Sequence, residues 1–344
     1  MDDFYDGTKL LSMSDLNGQK PEIFLCTSNR TAGKTTYFNR LVVNRWLNKK
    51  QKFCLIYRYK NELNDIPDKF FKDIGNLFFK DHDLTCRKMG KDVAIELLMD
   101  SNPCGYAVAL NSADAIKKWS HLFSDVENML MDEFQSETNS YCPNEIKKFR
   151  SIHTSMARGN GKMVRYLPVY MIANPVSILN PYYVSLGIST RLRSDTKFLR
   201  GNGFVLEQGH NSVAADLTSQ SAFNRAFAND SYGDYESQGV YLNDNLAFIE
   251  KPVGIPKYVC TIKYKNAFYG LKEYAEQGII YCDNKADLTY PFKIATTTED
   301  HQINYVMLRS NDIFISNMRY YFDKGCFRFK DLSAKEALMA TLSY

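Results

Sequence analysis

The sequence offers little that would build a metal cage or a disulfide framework. Its eight cysteines are scattered from Cys26 to Cys326, none in C-x-x-C spacing, and the five histidines do not cluster with them. That pattern excludes a zinc ribbon, and a disulfide scaffold is not expected in a chain of 344 residues. Cys26, Cys54 and Cys260 lie in apolar runs, where a free cysteine packs as a small hydrophobe. No apolar run approaches the length of a membrane span. There is no internal repeat and no low-complexity tract. Neither sign of charge dominates: 43 Lys and Arg stand against 39 Asp and Glu, a net +4. A nucleic-acid partner would therefore be held by local basic patches rather than by net charge. The opening Met1-Asp2-Asp3 has no signal-peptide character. The expectation is a reduced, cytosolic protein. A hydrophobic content of 44% and a charged content of 24% are ordinary for a globular chain, and the length suffices for two domains.

What the sequence does have is Ser28-Asn29-Arg30-Thr31-Ala32-Gly33-Lys34-Thr35-Thr36. Its tail, Gly33-Lys34-Thr35, ends the phosphate-binding pattern G-x-x-x-x-G-K-[ST]. Backbone N–H groups of such a loop wrap phosphates, and the following helix N-terminus adds its dipole. Lys34 is placed to reach the β- and γ-phosphates and Thr35 to ligate Mg²⁺. Asn29 to Ala32, Gly33 and Thr36 complete the candidate ATP-binding loop, and Arg30 is a candidate source of added positive charge. Ser28 stands where the pattern has its first glycine. The flanks fit the motif: 21–27 reads as a buried strand, and 36–49 as a helix with Phe38, Leu41, Val42, Val43 and Trp46 at helical spacing. Residues 52–59 read as a second strand, giving a βαβ unit and hence a parallel sheet. Residues 1–20 read as a polar surface wrap.

A second motif lies at Val126-Glu127-Asn128-Met129-Leu130-Met131-Asp132-Glu133-Phe134, an apolar strand running into two carboxylates. This is the Walker B pattern. Asp132 is assigned to hold Mg²⁺ and Glu133 to activate the attacking water. A solvated acidic turn is the bland alternative, and its pairing with a phosphate loop argues against it. The strand 167–174 ends in Asn174 at the carboxyl edge of the sheet, where open α/β sheets bind ligands. Asn174 contacts water or γ-phosphate, or else is a turn residue before Pro175; both readings stay open. From Glu145 to Asp195 there is no intervening acid, but there are Lys147, Lys148, Arg150, Arg158, Lys162, Arg165, Arg191 and Arg193. Two readings again stand, a polyanion-facing surface or ordinary solvated faces.

Short strands are expected at 94–99 and 106–110, and helices at 144–155, 313–324 and 333–342. From Gln208 to about Tyr241 the composition turns to Gly, Ser, Asn and Asp, read as a linker or small lid with a helical stretch near 219–226. Strands are expected at 248–250, 258–264, 267–271 and 278–281. The domains expected are 1–208, a linker over 209–243, and 244–344.

Together these residues resemble the DNA-packaging ATPase of small phi-29-like podophages. The similarity is carried by Arg30 to Thr35, Ile56-Tyr57-Arg58-Tyr59-Lys60, Met131-Asp132-Glu133-Phe134, Pro143-Asn144-Glu145, Asn174-Pro175-Val176-Ser177, Asn180-Pro181-Tyr182, Phe248 to Lys251 and Gly325 to Phe329. The resemblance implies an α/β chain with a P-loop, ASCE-type ATPase domain (additional-strand, catalytic-glutamate) on a mostly parallel sheet. A small α+β C-terminal domain of degenerate RNase H-like fold would follow. It implies ATP and Mg²⁺ as cofactors and a pentameric ring at the portal vertex of a prohead in the host cytoplasm, driving double-stranded DNA inward. Some relatives use a packaging RNA. Arg158 falls where the family has its trans-acting arginine finger, and Lys60 on a basic residue that reaches the neighbouring subunit's nucleotide.

Two other functions compete. A P-loop nucleotide or nucleoside kinase would not need Glu133 or the C-terminal domain. A non-enzymatic DNA-binding scaffold leaves Lys34, Thr35, Asp132 and Glu133 unexplained. Nuclease activity is not expected of the C-terminal domain. Its strand 260–264 lacks an acid, and Asp283, Asp312 and Asp323 read as helix and turn positions.

Overall fold

The computed structural model describes residues 4–64, 66–90, 93–138, 140–158, 163–178, 180–189, 191–192, 196–222, 251–308 and 312–342. The chain divides into two compact units, Met1–Asn243 and Asp244–Tyr344.

The first unit is built on strands β1 (Ile23–Thr27), β2 (Lys52–Tyr57), β3 (Leu84–Met89), β4 (Ala94–Met99), β5 (Asn102–Ala109), β6 (Val126–Asp132), β7 (Val169–Ala173), β8 (Phe198–Gly201) and β9 (Phe204–Gln208). Among the described residues they form one sheet in the order β3-β4-β5-β2-β6-β7-β1-β9-β8. The six central strands, β5, β2, β6, β7, β1 and β9, run parallel; β3, β4 and β8 add antiparallel edges. The helices are α1 (Thr8–Ser12), α2 (Lys34–Lys49), α3 (Ile66–Phe78), α4 (Ala113–Lys118), α5 (Glu145–Met156), α6 (Pro181–Ser185) and α7 (Ser212–Gln220).

Parallel strands covered on both faces must be apolar on both, and alternation then sorts their side chains into two layers. Leu25 of β1, Met129 and Met131 of β6, and Val169, Met171 and Ala173 of β7 join one core with Phe149 and Ile152 of α5 and Tyr182 of α6. Phe24, Cys26, Leu130, Tyr170 and Ile172 point to the other face, against Phe38, Val42 and Val43 of α2 and Phe70, Phe71 and Ile74 of α3. At Gly105 a Cβ would sit 2.6 Å from the Phe53 carbonyl oxygen of the neighbouring strand, so only glycine fits.

Several expectations need correction. The βαβ unit exists, but β2 does not neighbour β1; β6 and β7 lie between them. The N-terminal segment does not merely wrap the surface. Leu10 is fully buried, and Tyr5 stacks on Phe38 with ring centroids 5.9 Å apart. The start of the expected linker is helical at α7, which runs into the stretch 219–226, and residues 223–226 lie outside the described residues. The expected strand 248–250 lies outside the described residues. Strands β3 and β8 and helix α3 were not anticipated.

The second unit carries β10 (Lys257–Tyr264), β11 (Ala267–Tyr274), β12 (Ile279–Asp283), β13 (Lys293–Ala295) and β14 (Phe327–Phe329), with α8 (Ile313–Asp323) and α9 (Leu332–Leu342). Their order is β13-β10-β11-β12-β14. Strands β10, β11 and β12 form an antiparallel meander, and β13 and β14 run parallel to β10 and β12 respectively. Lys265 and Asn266, at φ 49° and 60°, make the tight β10–β11 turn, the left-handed pair a two-residue hairpin requires.

Candidate active site

Strands β1, β6 and β7 are parallel, so their carboxyl ends open on one edge. There β1 leaves Thr27 into the loop 28–33 and α2 begins at Lys34. Gly33 has φ 91°, a left-handed conformation that favours glycine. Thr31 also turns left-handed, at φ 61°, with its hydroxyl on the Arg30 carbonyl. Ser28 has no positive φ, which is why a serine is accommodated where the motif begins.

Lys34 is buried at 6% exposure. Its Nζ donates to the Ser28 and Asn29 carbonyls at 3.2 and 3.4 Å and to Asn174 Oδ1 at 2.6 Å. Desolvation lowers the lysine's pKa, partly offset by Cys26 and by the Asp132 carboxylate. Asn174, just past β7, is thus in contact with the loop lysine. Thr35 is exposed at the helix start and Thr36 half-buried behind it.

The other loop residues are braced rather than free. The Asn29 side chain is fully buried and exchanges two hydrogen bonds with the Asn211 backbone, at 3.0 and 2.9 Å. It ties the loop to the segment after β9, so only the Asn29 backbone remains for a ligand. Arg30 is ion-paired with Glu137. Ala32 is buried, and its carbonyl accepts from Tyr5 N at 2.8 Å.

Asp132 closes β6. Burial pushes its carboxyl up to about 6, the Glu133 charge adds to this, and the Thr35 hydroxyl, the Glu133 N–H and Lys34 counter it. A partly buried carboxylate short of positive charge, hydrogen-bonded to a threonine at a helix N-terminus, suits Mg²⁺. That ion takes one or two carboxylates and completes its shell with phosphates and water. Glu133 is exposed and sits at φ 55°, a conformation that costs a non-glycine residue on the order of 1–3 kcal/mol and must be held by its surroundings. Its N–H rests on Asp132 Oδ1 at 2.8 Å.

Behind Glu133 lies a buried network to which the sequence motifs assign no role. Arg58, just after β2, sets its Nε on both oxygens of Glu145, at 3.1 and 3.0 Å. One terminal nitrogen donates to the carbonyls of Glu133 and Phe134, at 3.2 and 3.0 Å. Burial disfavours the Arg58 charge, but Glu145 outweighs that and holds the guanidinium above its ordinary pKa. Glu145 also accepts from Cys142 N and the Tyr182 hydroxyl, both at 2.8 Å. The signal was in the sequence: Arg58, Glu145 and Tyr182 each belong to a stretch that carries the family resemblance.

The structure does not bring every candidate to the loop. Lys60, in a 3₁₀ turn after β2, and Arg158, two residues past α5, are both exposed. Among the described residues neither hydrogen-bonds Lys34, Thr35, Asp132 or Glu133. Gly159, Asn160, Gly161 and Lys162, beside Arg158, lie outside the described residues. In the acid-free span, Arg165, one of the candidates for a polyanion-facing surface, is engaged at the end of α5. Its side chain donates to the Met156 carbonyl at 2.7 Å and its N–H to Ala157 at 2.9 Å, satisfying the end of α5. Lys147 and Arg150 remain exposed.

In the second unit Asp312 caps α8 through Phe314 N at 2.8 Å, as its turn position implied. Asp283 is not a helix or turn residue; it ends β12, buried, with both carboxylate oxygens on Lys272 Nζ at 2.6 and 2.7 Å.

Residues 2–341 match the family model described as podovirus DNA encapsidation protein (Gp16). The chain is 25% identical to a DNA packaging protein of Bacillus phage B103, over 92% of this chain and 93% of that one. It is 23% identical to that of Bacillus phage phi29, over 95% and 93%. Among solved structures it resembles the Phi-28 gp11 DNA packaging motor, with a TM-score of 0.62 at 16% identity, covering 100% of this chain and 99% of that one. It also resembles the bacteriophage Phi-29 genome packaging motor assembly, with a TM-score of 0.57 at 23% identity, covering 98% and 99%.

Proposed function

The chain belongs to the podovirus DNA encapsidation protein family, and we propose that it is an ATP hydrolase that drives double-stranded viral DNA into a preformed capsid. One observation carries the ATPase reading. Lys34 and Thr35 from α2, Asp132 and Glu133 from β6 and Asn174 from β7 meet at one carboxyl edge, with Lys34 already in contact with Asn174. The strand β7 between β1 and β6 is the additional strand of the ASCE class, and it brings Asn174 beside the phosphate loop.

Phosphate oxygens at the loop compete with Ser28, Asn29 and Asn174 for Lys34 Nζ. A γ-phosphate that takes the lysine frees Asn174 to orient the attacking water. Glu133 accepts that water's proton. Thr35 and Asp132 would hold Mg²⁺, which would neutralise phosphate charge there. Arg158 serves a neighbouring subunit in a ring, pentameric as in the family resemblance, and Lys60 reaches the same neighbour. Residues 1–208 form the motor domain and 209–243 the linker. Residues 244–344 form a nuclease-inactive docking domain at the portal vertex. Duplex DNA is the polymer moved, and exposed Lys147 and Arg150 are its nearest candidate contacts.

The test is ATP hydrolysis by the full chain with and without duplex DNA and with no phosphoryl acceptor, followed by packaging into purified proheads. DNA-stimulated phosphate release and nuclease-protected DNA in the proheads support the reading. Hydrolysis that requires a nucleoside or nucleotide acceptor would replace it with a kinase.

A further inference from the structure

We propose that Gln135 is a positioning residue: its buried side chain clamps the turn after β7 and so fixes Asn174 beside the phosphate loop. This rests on Asn174 being the group that orients the attacking water. Gln135 lies just past the acid pair, outside the motif that ends at Phe134, and is 2% exposed. Its Oε1 accepts from the Val176 and Ser177 N–H groups, at 3.0 and 2.9 Å. Two backbone donors can face only the oxygen of an amide, so these bonds set which way the group is turned. Gln135 thereby ties the end of β6 to the segment leaving β7. The Phe134 N–H, which donates to the Ile172 carbonyl at 3.2 Å, joins the same two strand ends.

Asn174 is held from both sides. Upstream, Ala173 belongs to the ladder of β7 and pairs with Thr27 of β1. Downstream, Pro175 biases Asn174 towards extended backbone, and the next two N–H groups are the ones that Gln135 takes. Asn180, 1% exposed, closes the turn: its side chain donates to the Ser177 carbonyl at 2.8 Å and accepts from Tyr183 N at 3.0 Å. The Asn174 side chain then meets Lys34 Nζ at 2.6 Å. Among the described residues Gln135 Nε2 is buried without a hydrogen-bond partner, which costs about 1–3 kcal/mol. A glutamate would accept the same two N–H groups with no orphan donor, but it would add a third carboxylate within three residues of Asp132. The amide clamps the turn without adding negative charge next to the acid pair. Among the described residues the Gln135 side chain bonds no atom of the loop 28–35. Loosening Asn174 removes a competitor for Lys34 Nζ, so ATP affinity should hold or rise while turnover falls.

The experiment compares the full chain with Gln135→Met, Asn174→Ala and the two combined. Methionine keeps the length of the side chain and removes the acceptor. Fluorescent ATP binding and steady-state hydrolysis are measured for each. Gln135→Met should lower turnover by about 10- to 100-fold, the scale of a small misplacement of a catalytic group, with ATP affinity unchanged or tighter. Added to Asn174→Ala it should lower turnover no further than about twofold, because residues acting through one another are not additive. Wild-type turnover in Gln135→Met overturns the proposal. So does a full further loss in the double variant, or a joint loss of affinity and turnover in Gln135→Met, either of which marks a general structural role. Hydrogen exchange on the wild-type chain needs no variant to fold: the Val176 and Ser177 amides should be protected at least about tenfold, and exchange at the free-chain rate removes the clamp. If Asn174→Ala hydrolyses ATP at the wild-type rate, the role of Asn174 itself fails, and the positioning role falls with it. A slow Asn174→Ala beside a fully active Gln135→Met isolates the failure to Gln135.

Discussion

Each unit of this chain ends a β-strand in an aspartate with a lysine near it, and the two pairs come to opposite ends. In the second unit Lys272 lies on both oxygens of Asp283, and the pair is closed. In the first unit Lys34 bonds Ser28, Asn29 and Asn174, while Asp132 keeps a carboxyl raised to about 6. The difference lies in where the lysine comes from. Lys272 sits on the strand paired with that of Asp283, with Cβ atoms on one sheet face close enough for direct contact. Lys34 comes from a helix start beyond a tight loop, whose inward carbonyls take the ammonium first. One arrangement neutralises an acid for stability; the other leaves an acid and a lysine each ready for a further charged partner.

Four perturbations would break or sharpen this contrast, taken from the largest effect down. Arg158→Ala should lower ATP turnover by roughly 10³–10⁵-fold if it is a finger supplied in trans. Mixed with Glu133→Gln subunits it should regain part of the activity, because some interfaces pair an intact Glu133 with an intact Arg158. A mixture that stays dead while both variants bind ATP and assemble removes Arg158 from that role. Next, Lys272→Ala should destabilise the second unit by about 3–5 kcal/mol, since it strands a buried carboxylate. Denaturant unfolding of the full chain should show that loss, with metal-dependent plasmid cleavage absent before and after. Lys34→Ala should weaken ATP binding by about 10- to 150-fold, the equivalent of about 1.5–3 kcal/mol for a hydrogen bond to a charged group. Titration with a fluorescent ATP checks this, and unchanged affinity would mean that the loop lysine does not touch the phosphates.

The smallest effect concerns Asp300. Burial works against its charge, but the N–H groups of Asn266 and Lys265 outweigh that and hold its carboxyl below the ordinary 3.8. A depressed carboxyl contributes stability that is complete above its unfolded value and lost as pH falls through the folded one. Acid unfolding of the second unit should therefore show a contribution from Asp300 below about pH 4 that Asp300→Asn abolishes, at a cost of about 1 kcal/mol at neutral pH.

The two motifs were legible because each is local. A short apolar run into Gly33-Lys34-Thr35, and another into Asp132-Glu133, name a strand, a loop and an acid pair without long-range information. The order of strands was not legible, because nothing in residues 169–173 says that they insert between 23–27 and 126–132. Helix α3 hides among polar residues that its buried Phe70, Phe71 and Ile74 outweigh only once packed. Strand β3 alternates half-buried and exposed residues at the sheet edge, so it lacks the continuous apolar signature of the central strands. Arg58 and Glu145 are 87 positions apart; their pairing appears only when β2 and the start of α5 meet. The engagement of Arg165 was hidden for the same reason: its charge is visible in the sequence, and the helix end it bonds is not.

The central claim is that the carboxyl edge of β1, β6 and β7 is an ATP-hydrolysing site with Glu133 as its base. Glu133→Gln tests it most directly, with ATP affinity and phosphate release measured on the same preparation of full chain. Wild-type affinity is expected, because Lys34, Thr35 and Asp132 are untouched, together with turnover reduced to background. Phosphate release at the wild-type rate from that variant would contradict it.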